Sequence, residues 1–178
     1  MTKIEILQKR LPDGVDAFLT TDGVRRFYLT GFKSSNGFLF VTKQTADFFT
    51  DFRYIEAAEK ECVGCSVSVG SYKEEVSGII EKQGIRTIAF EDELVTVAAL
   101  AGLKKTFPSC EFVSIGTVIS DMMSLKTPEE MGRVRKAQEI TDRAFAALLP
   151  LLRPDMKETD VAAELEYQMK KFGASDKS

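Results

Sequence analysis

The sequence predicts an α/β protein in which helices flank a central sheet and a helical hairpin follows. Two observations predict this fold class. Up to about residue 124, short apolar segments alternate with amphipathic segments of helical period. After that residue only helical periodicity remains. We therefore expect an α/β domain over residues 1–124 and a helical segment over residues 125–178.

Composition narrows the class of protein. The 178 residues are 44% hydrophobic and 29% charged, which is typical of a globular chain. The net charge of −3 argues against nucleic acid as a partner, because such binding needs clustered Lys and Arg. No apolar run approaches the roughly 18 residues that span a bilayer, and the charged start is not a signal peptide. We expect a cytoplasmic protein without a membrane partner.

Cysteine and histidine counts limit the chemistry. Cys62, Cys65 and Cys110 are an odd number of cysteines, so we expect a reducing compartment and no disulfide framework. The chain has no histidine. This excludes three kinds of chemistry within the chain: catalytic triads that need histidine, zinc sites that contain histidine, and acid–base catalysis by histidine.

The first part of the chain predicts one helix and three strands. Thr2 and Glu5 have the spacing of a capping box, which favours a helix at the start. Buried strands are indicated over 15–20, 37–42 and 46–50. The last two are close enough in sequence to form a hairpin.

Helices and strands then alternate. Ser71 and Glu74 repeat the capping-box spacing, and Gly84 is a typical helix stop. The pattern predicts helices over 53–61, 71–84 and 94–105, and strands over 66–69, 85–90 and 111–115.

The end of the chain predicts two helices. Thr127 and Glu130 form a capping-box pattern with proline between them, and Gly173 is the expected end of the second helix. Each helix carries an apolar stripe, and we expect these stripes to need a partner surface. They comprise Met131, Val134, Ala137, Ile140, Ala144, Leu148 and Leu152 in the first helix, and Val161, Leu165, Met169 and Phe172 in the second. Since a further element should follow at 174–178, we expect a piece of a longer protein.

Two local clusters have structural interpretations. Cys62 and Cys65 form a CxxC, but they follow a predicted helix instead of preceding one, so the helix dipole does not activate the first thiol. We interpret them as a structural pair. Glu91, Asp92 and Glu93 are candidates for a cation site, although an acidic first turn of the next helix explains them better.

Two segments rich in aromatic residues can be interpreted either as structural elements or as a binding site. Segment 26–41 reads RFYLTGFKSSNGFLFV, and segment 50–58 reads TDFRYIEAA. Asp51 can cap a helix and Arg53 can pair with it, while the aromatic residues belong to the core. Alternatively, the acid, the base and the aromatic rings form a binding site.

These two segments resemble sequence blocks of the Xaa-Pro aminopeptidase and prolidase family. The first contains that family's Y-L-T-G-F and N-G residues, and the second is similar to its T-D-x-R-Y-x-E-x-A block. Residues 125–137 resemble the linker into the first catalytic-domain helix, and residues 158–173 its second helix. This sequence departs from the family's pattern at two positions: Asp155 replaces a turn glycine, and Lys157 replaces a helix-capping threonine.

The resemblance implies a mixed sheet of roughly six strands, similar to the creatinase N-terminal domain, and then the first two helices of a pita-bread metallopeptidase domain. That domain holds two divalent metals, Mn, Co or Zn, through two Asp, one His and two Glu. The metals activate a water that attacks the bond before proline. The family supplies those ligands after its second helix. The resemblance therefore implies ligands beyond Ser178, and neither cofactor nor catalytic residue in this chain.

The implied role of the chain is structural. We expect it to support a homodimer or higher homo-oligomer and to wall a cleft for proline-containing peptides. Arg53, with Tyr54 and Phe32 near it, is expected to face that cleft, because a guanidinium beside aromatic rings suits a carboxylate or a prolyl ring. Two hypotheses remain: the non-catalytic N-terminal portion of an aminopeptidase or dipeptidase, or a stand-alone assembly or ligand-binding module.

Overall fold

The chain divides into two compact units, Met1–Ser124 and Leu125–Ser178. The computed structural model describes residues 1–175. The first unit is a mixed six-stranded sheet with helices on both faces, and the second unit is helical. The predicted fold class is therefore confirmed.

The sheet has the strand order β4-β3-β2-β1-β5-β6. Its three central neighbours β1, β2 and β3 pair antiparallel, whereas β4, β5 and β6 join in parallel. Each predicted strand is present, with slightly shorter bounds at several ends. The bounds are β1 (Ala17–Thr20), β2 (Phe38–Thr42), β3 (Ala46–Thr50), β4 (Ser66–Val69), β5 (Thr87–Phe90) and β6 (Glu111–Ser114).

The central strands are buried on both faces. In β1, Phe18 belongs to one core cluster and Leu19 to the other, since successive side chains point to opposite faces of a sheet. In β3, Phe48 and Phe49 divide in the same way. The sheet thus separates two hydrophobic layers, which explains why these strands read as continuous apolar runs.

Helices cover each face. The cluster that contains Phe18 includes residues of α1 (Lys3–Arg10), α2 (Gly23–Thr30), α3 (Ile55–Glu61) and α6 (Val118–Ser124). The opposite cluster includes residues of α4 (Tyr72–Gln83) and α5 (Val97–Thr106).

Two predicted capping boxes have different outcomes. The Thr2 box is confirmed: the Glu5 N–H donates to Thr2 Oγ1 over 3.1 Å, and the Thr2 N–H donates to Glu5 Oε2 over 2.8 Å. The Ser71 box is wrong, because Ser71 caps α4 without a side-chain hydrogen bond. The predicted stop at Gly84 is confirmed by its left-handed φ of 66° and by the Ile85 N–H on the Ile80 carbonyl at 3.0 Å.

The sequence patterns did not predict α2 and α6. In α2, the Asp22 carboxylate caps the helix by accepting the Arg25 N–H at 2.8 Å, and Gly31 ends it with a φ of 81°. Its buried residues include the polar Arg26 and Thr30, which interrupt the apolar stripe that would have indicated a helix. Helix α6 spans only seven residues, too short for a clear period.

The second unit contains α7 (Pro128–Leu148), a short 3-10 helix (Leu149–Leu151) and α8 (Glu158–Lys171). The Thr127 capping box is present with both hydrogen bonds. Gly173 follows α8 with a φ of 102°, and the Ala174 N–H bonds the Met169 carbonyl at 3.0 Å, as in a Schellman ending. Both helix ends that the sequence indicated are thus confirmed.

Few residues of the predicted apolar stripes are buried. Ala144, Leu148 and Met169 are the buried hydrophobic residues described in this unit. Val134 and Leu152, by contrast, are 51% and 44% exposed. Taken by itself, the helical unit therefore leaves much of its apolar surface open. None of the helices in residues 1–175 combines the length and the apolarity that a bilayer crossing needs.

Candidate functional site

A tight turn after β3 carries Arg53 and Tyr54, two of the three predicted site residues. Asp51 leaves the strand, and its Oδ1 accepts the backbone N–H of Arg53 at 3.0 Å. The Tyr54 N–H then bonds the Asp51 carbonyl at 3.0 Å, and Tyr54 caps α3. The sequence folds this way locally because a short Asp side chain can bond the backbone two residues on.

The Arg53 side chain folds back onto the same carboxylate. Its Nε donates to Asp51 Oδ1 at 3.0 Å, and its Nη2 donates to Oδ2 at 2.8 Å. This side-on fork fixes the plane of the guanidinium. The predicted pairing of Asp51 with Arg53 is thus present.

Two residues of the loop before β2 fasten this turn. The Asn36 amide donates to Asp51 Oδ2 at 2.8 Å, and the Ser35 hydroxyl bonds the Tyr54 hydroxyl at 2.7 Å. The residue patterns did not single out either contact. The only sequence signal for these two contacts was that the N-G block and the T-D-x-R-Y block occur in the same sequence.

The aromatic residues form a layer beneath the guanidinium. The Arg53 guanidinium carbon lies 5.4 Å from the centre of the Tyr54 ring. Tyr54 meets Phe32 edge to face, with ring centres 6.3 Å apart, and Phe32 meets Phe48 at 6.1 Å. The structure places Phe32 differently from the expectation: it is 4% exposed and belongs to the core, so it supports Tyr54 from below.

The hydrogen bonds set the electrostatics of the turn. The bonds from Arg53 and then from Asn36 hold the pKa of Asp51 far below its ordinary value of 3.8. The same carboxylate raises the pKa of Arg53. The bond with Ser35 is the main cause that lowers the pKa of Tyr54. The pair is therefore ionised throughout the neutral range.

One edge of Arg53 remains free for a ligand. Its side chain is 59% exposed, and Nη1 makes no hydrogen bond to any of residues 1–175. The adjacent Phe52 is 80% exposed, which is unusual for so large an apolar side chain. The turn thus presents a preorganised cation beside an exposed ring, an arrangement suited to a carboxylate attached to an apolar group.

A cleft of about 260 Å³ adjoins the turn, and Asn36 and Asp51 are among its lining residues. Its deepest charge is Arg26, which is 3% exposed. The Arg26 guanidinium donates to the Ser34 hydroxyl at 2.7 Å and to the Thr21 carbonyl at 3.2 Å. Arg26 therefore holds the loop before β2 in place, and its lowered pKa is due mainly to burial.

The acidic and cysteine side chains of the described residues are the candidates for a metal site. Within residues 1–175, no group of three or more His, Cys, Asp or Glu side chains gathers to hold an ion. The acidic triplet lies before α5, whose cap is Thr96, so its interpretation as the first helical turn is wrong. Its buried member Glu91 pairs with Arg25 at 2.8 Å.

Known proteins share this fold over nearly the whole chain. The Xaa-Pro dipeptidase from Bacillus anthracis superposes with a TM-score of 0.90 and 32% identity, covering 98% of this chain and 50% of that one. The X-Pro aminopeptidase from Thermotoga maritima gives a TM-score of 0.86 and 28% identity, covering 98% and 51%.

An uncharacterized peptidase of Bacillus subtilis, YqhT, is 30% identical over 93% of this chain and 47% of its own length. The chain thus spans about half the length of the relatives it matches.

Two family profiles match successive parts of the sequence. The Creatinase/Prolidase N-terminal domain matches residues 4–122, and Metallopeptidase family M24 matches residues 132–178. The first match covers more than half of the chain and coincides with the six-stranded sheet and its helices. The chain therefore belongs to the creatinase/prolidase N-terminal domain family and is related to the Xaa-Pro peptidases.

Proposed function

We propose that this chain is the N-terminal portion of a proline-specific metallopeptidase, an Xaa-Pro aminopeptidase or an Xaa-Pro dipeptidase. Residues 1–124 are its non-catalytic α/β domain, and residues 125–178 are the linker and first helices of its catalytic domain. The consecutive matches to the creatinase/prolidase and M24 profiles support this division. Both kinds of peptidase occur among the similar solved structures, so the proposal includes both.

The α/β domain walls the substrate cleft and binds the carboxylate of a short proline-containing peptide through Arg53. One observation carries this assignment: Asp51 accepts hydrogen bonds from Nε and Nη2 of Arg53, while the Arg53 side chain stays exposed at Nη1. A guanidinium held in one plane loses little side-chain entropy when it forms a second fork with a ligand. The pairing with Asp51 therefore prepares Arg53 for binding and does not use up its donors.

Tyr54 and Phe32 complete the wall in different ways. Tyr54 lies next to the guanidinium and is steadied by Ser35, so its ring can contact a prolyl group. Phe32 is buried, and its edge-to-face contact fixes the position of the Tyr54 ring.

The same end of the domain contributes to a homodimer or higher homo-oligomer. Phe52 and Val69 are 80% and 52% exposed, and the register pairs Thr50 with Val69 at the neighbouring strand ends. Exposed apolar side chains at one edge are typical of a contact surface.

The chemistry resides in other residues of the intact enzyme. Two divalent metals, Mn, Co or Zn, would activate the water, and their ligands would come from residues other than those of this chain. We therefore expect residues 1–178 with Mn²⁺ or Co²⁺ to leave Xaa-Pro peptides intact. Chelator-sensitive turnover by the pure chain would contradict this.

The deciding experiment measures the kinetics of the full-length peptidase with Arg53→Ala. We expect KM for short Xaa-Pro peptides to rise by about tenfold, since a charged hydrogen bond to the substrate is lost. Arg153→Ala is the matched control, because Arg153 is an exposed arginine whose Nε lies 3.4 Å from Asp155, also two residues away. Unchanged kinetics together with an unchanged oligomeric state would overturn the assignment of Arg53.

The gene distinguishes this proposal from a stand-alone assembly or ligand-binding module. A reading frame that continues past Ser178 with spaced Asp, Asp, His, Glu and Glu codons supports the peptidase. A stop codon at that point supports the module.

A further inference from the structure

Cys62 and Cys65 flank the turn that joins the end of α3 to the start of β4. The Cys62 N–H closes α3 on the Ala58 carbonyl at 2.9 Å, and Cys65 directly precedes the strand. Between them, Gly64 has a left-handed φ of 82°, which glycine adopts without strain. The two cysteines are three residues apart, and both side chains pack against the same core cluster. Both are free cysteines in this structure.

The surrounding core holds this turn in place. The Val63 N–H donates to the Thr30 carbonyl at 2.9 Å. A Cβ on Gly64 would lie only 2.9 Å from Thr2 Oγ1, so the turn fits closely against the capping residue of α1. Both cysteines are half-buried against the core cluster on this face. The thiols are thus held near one another by contacts that do not depend on their oxidation.

The two thiols are chemically unequal. The hydrogen bond from Cys65 is the main cause that lowers the pKa of Cys62, and the same bond is the main cause that raises the pKa of Cys65. The nearby carboxylates of Glu61 and Asp47 act on Cys62 and Cys65 respectively, and each raises the pKa of its thiol. Cys62 is therefore the attacking sulfur of the pair and Cys65 the resolving one.

We propose that Cys62 and Cys65 are a redox modification site that closes into a reversible intramolecular disulfide by exchange with a low-molecular-weight disulfide. The Cys62 thiolate attacks one sulfur of that disulfide, breaks its S–S bond and releases one thiol. The Cys65 sulfur, after losing its proton, attacks the Cys62 sulfur of the mixed disulfide and releases the second thiol. Both protein thiols are oxidised, and the small disulfide is reduced to its two thiols.

Cys62 lies at one end of α3 and Tyr54 at the other, and the seven residues of the helix separate them. Closing the turn ties the end of α3 covalently to the start of β4. We therefore expect amide hydrogen exchange at the end of α3 to slow on oxidation. This inference is independent of the proposed peptidase function, since it concerns thiols of the chain itself.

The test uses the full chain incubated at neutral pH with oxidised glutathione and then digested with trypsin. Cys62 and Cys65 fall on one tryptic peptide, 61–73, and Cys110 on another, 106–126. We expect the first peptide to lose the mass of a hydrogen pair and to regain it with dithiothreitol. Cys110 is the internal control, because burial raises its pKa. We expect Cys62 to react at least about tenfold faster than Cys110.

Single-serine variants define the order of the steps. Cys65→Ser should accumulate glutathione on residue 62, Cys62→Ser should leave Cys65 unreacted, and Cys110→Ser should close like the parent chain. If peptide 61–73 of the parent keeps glutathione or both thiols while Cys110 reacts, the proposal is overturned. Equal glutathione labelling of Cys62→Ser and Cys65→Ser overturns the assigned roles.

Discussion

Arg25 of α2 pairs with Glu91 at the end of β5 and also contacts α6, so it links three elements of the α/β unit. Its Nε lies 2.8 Å from Glu91 Oε1 at the end of β5, and the two side chains are only 15% and 6% exposed. Its other donors reach Met123 Sδ at 2.9 Å and Ser120 Oγ at 3.2 Å in α6. Glu91 Oε2 is buried without a partner in the described residues. One guanidinium thus holds α6 to α2 and to the sheet.

The substitution Glu91→Gln should flatten the pH dependence of stability. Burial is the main cause that raises the pKa of Glu91 above its ordinary 4.5, and the bond from Arg25 opposes the rise. The folded state therefore holds this proton more tightly than the unfolded state. The free energy of unfolding should fall as pH rises from 4.5 through the raised pKa, and it should recover on acidification into that window.

Urea unfolding across that pH window measures this effect. Glu81→Gln is the control, because Glu81 is an exposed glutamate of the same unit that does not act on the pKa of Glu91. It should retain the pH dependence of the parent chain. Parallel curves for Glu91→Gln and the parent would show that Glu91 does not titrate within the window.

Thr2→Ala should destabilise the α/β unit, whereas Ser71→Ala should have little effect. Thr2 satisfies a free N–H at the start of α1, and removing such a cap costs about 1 kcal/mol. Ser71 occupies the equivalent position of α4 but makes no side-chain cap hydrogen bond. Denaturant unfolding of both variants measures the difference. Equal losses would mean that α4 relies on the Ser71 hydroxyl after all.

Gly37→Ala should destabilise the chain by about 1–3 kcal/mol, because its Cβ would overlap neighbours that cannot easily move. That Cβ would lie 2.5 Å from Phe48 Cε2 and 2.6 Å from Arg26 Nη1. Gly78→Ala is the matched control in α4, since a Cβ there meets nothing within 4 Å. It should stabilise the chain by about 0.5–1 kcal/mol through helix propensity. Thermal unfolding of both variants should give shifts of opposite sign, and a Tm rise for Gly37→Ala would contradict the close packing.

Much of this fold was predictable because its central strands are buried on both faces and several helix ends carry typical capping residues. All six strands were predicted, although the partly exposed β4 alternates serine and valine and is not an apolar run. The Thr127 box and Gly84 marked helix ends correctly. The pattern failed at α2, where the buried guanidinium of Arg26 takes a core position. Periodicity treats such a residue as exposed, although hydrogen bonds to Ser34 and Thr21 satisfy it.

The candidate site was predictable only in part. Sequence proximity brought out the pairing of Asp51 with Arg53, because the two residues are neighbours along the chain. The contributions of Asn36 and Ser35 depend on how the loop before β2 crosses the end of β3, which no local pattern encodes. The burial of Phe32 likewise depends on the packing of Phe48 beneath it.

The titration of Asp51 should reveal which neighbour organises the turn. Arg53 is the first cause of its depressed pKa and Asn36 the second, so Arg53→Gln should raise the pKa towards 3.8 by more than Asn36→Ala does. Because the folded-state pKa is depressed, the ionised carboxylate stabilises the fold above 3.8, and this contribution is lost as pH falls through the folded value. Carboxyl ¹³C NMR of the labelled chain follows the titration directly. A larger shift in Asn36→Ala would mean that the loop, and not the arginine, holds Asp51, and Arg53 would then lack the fixed orientation on which its proposed binding role rests.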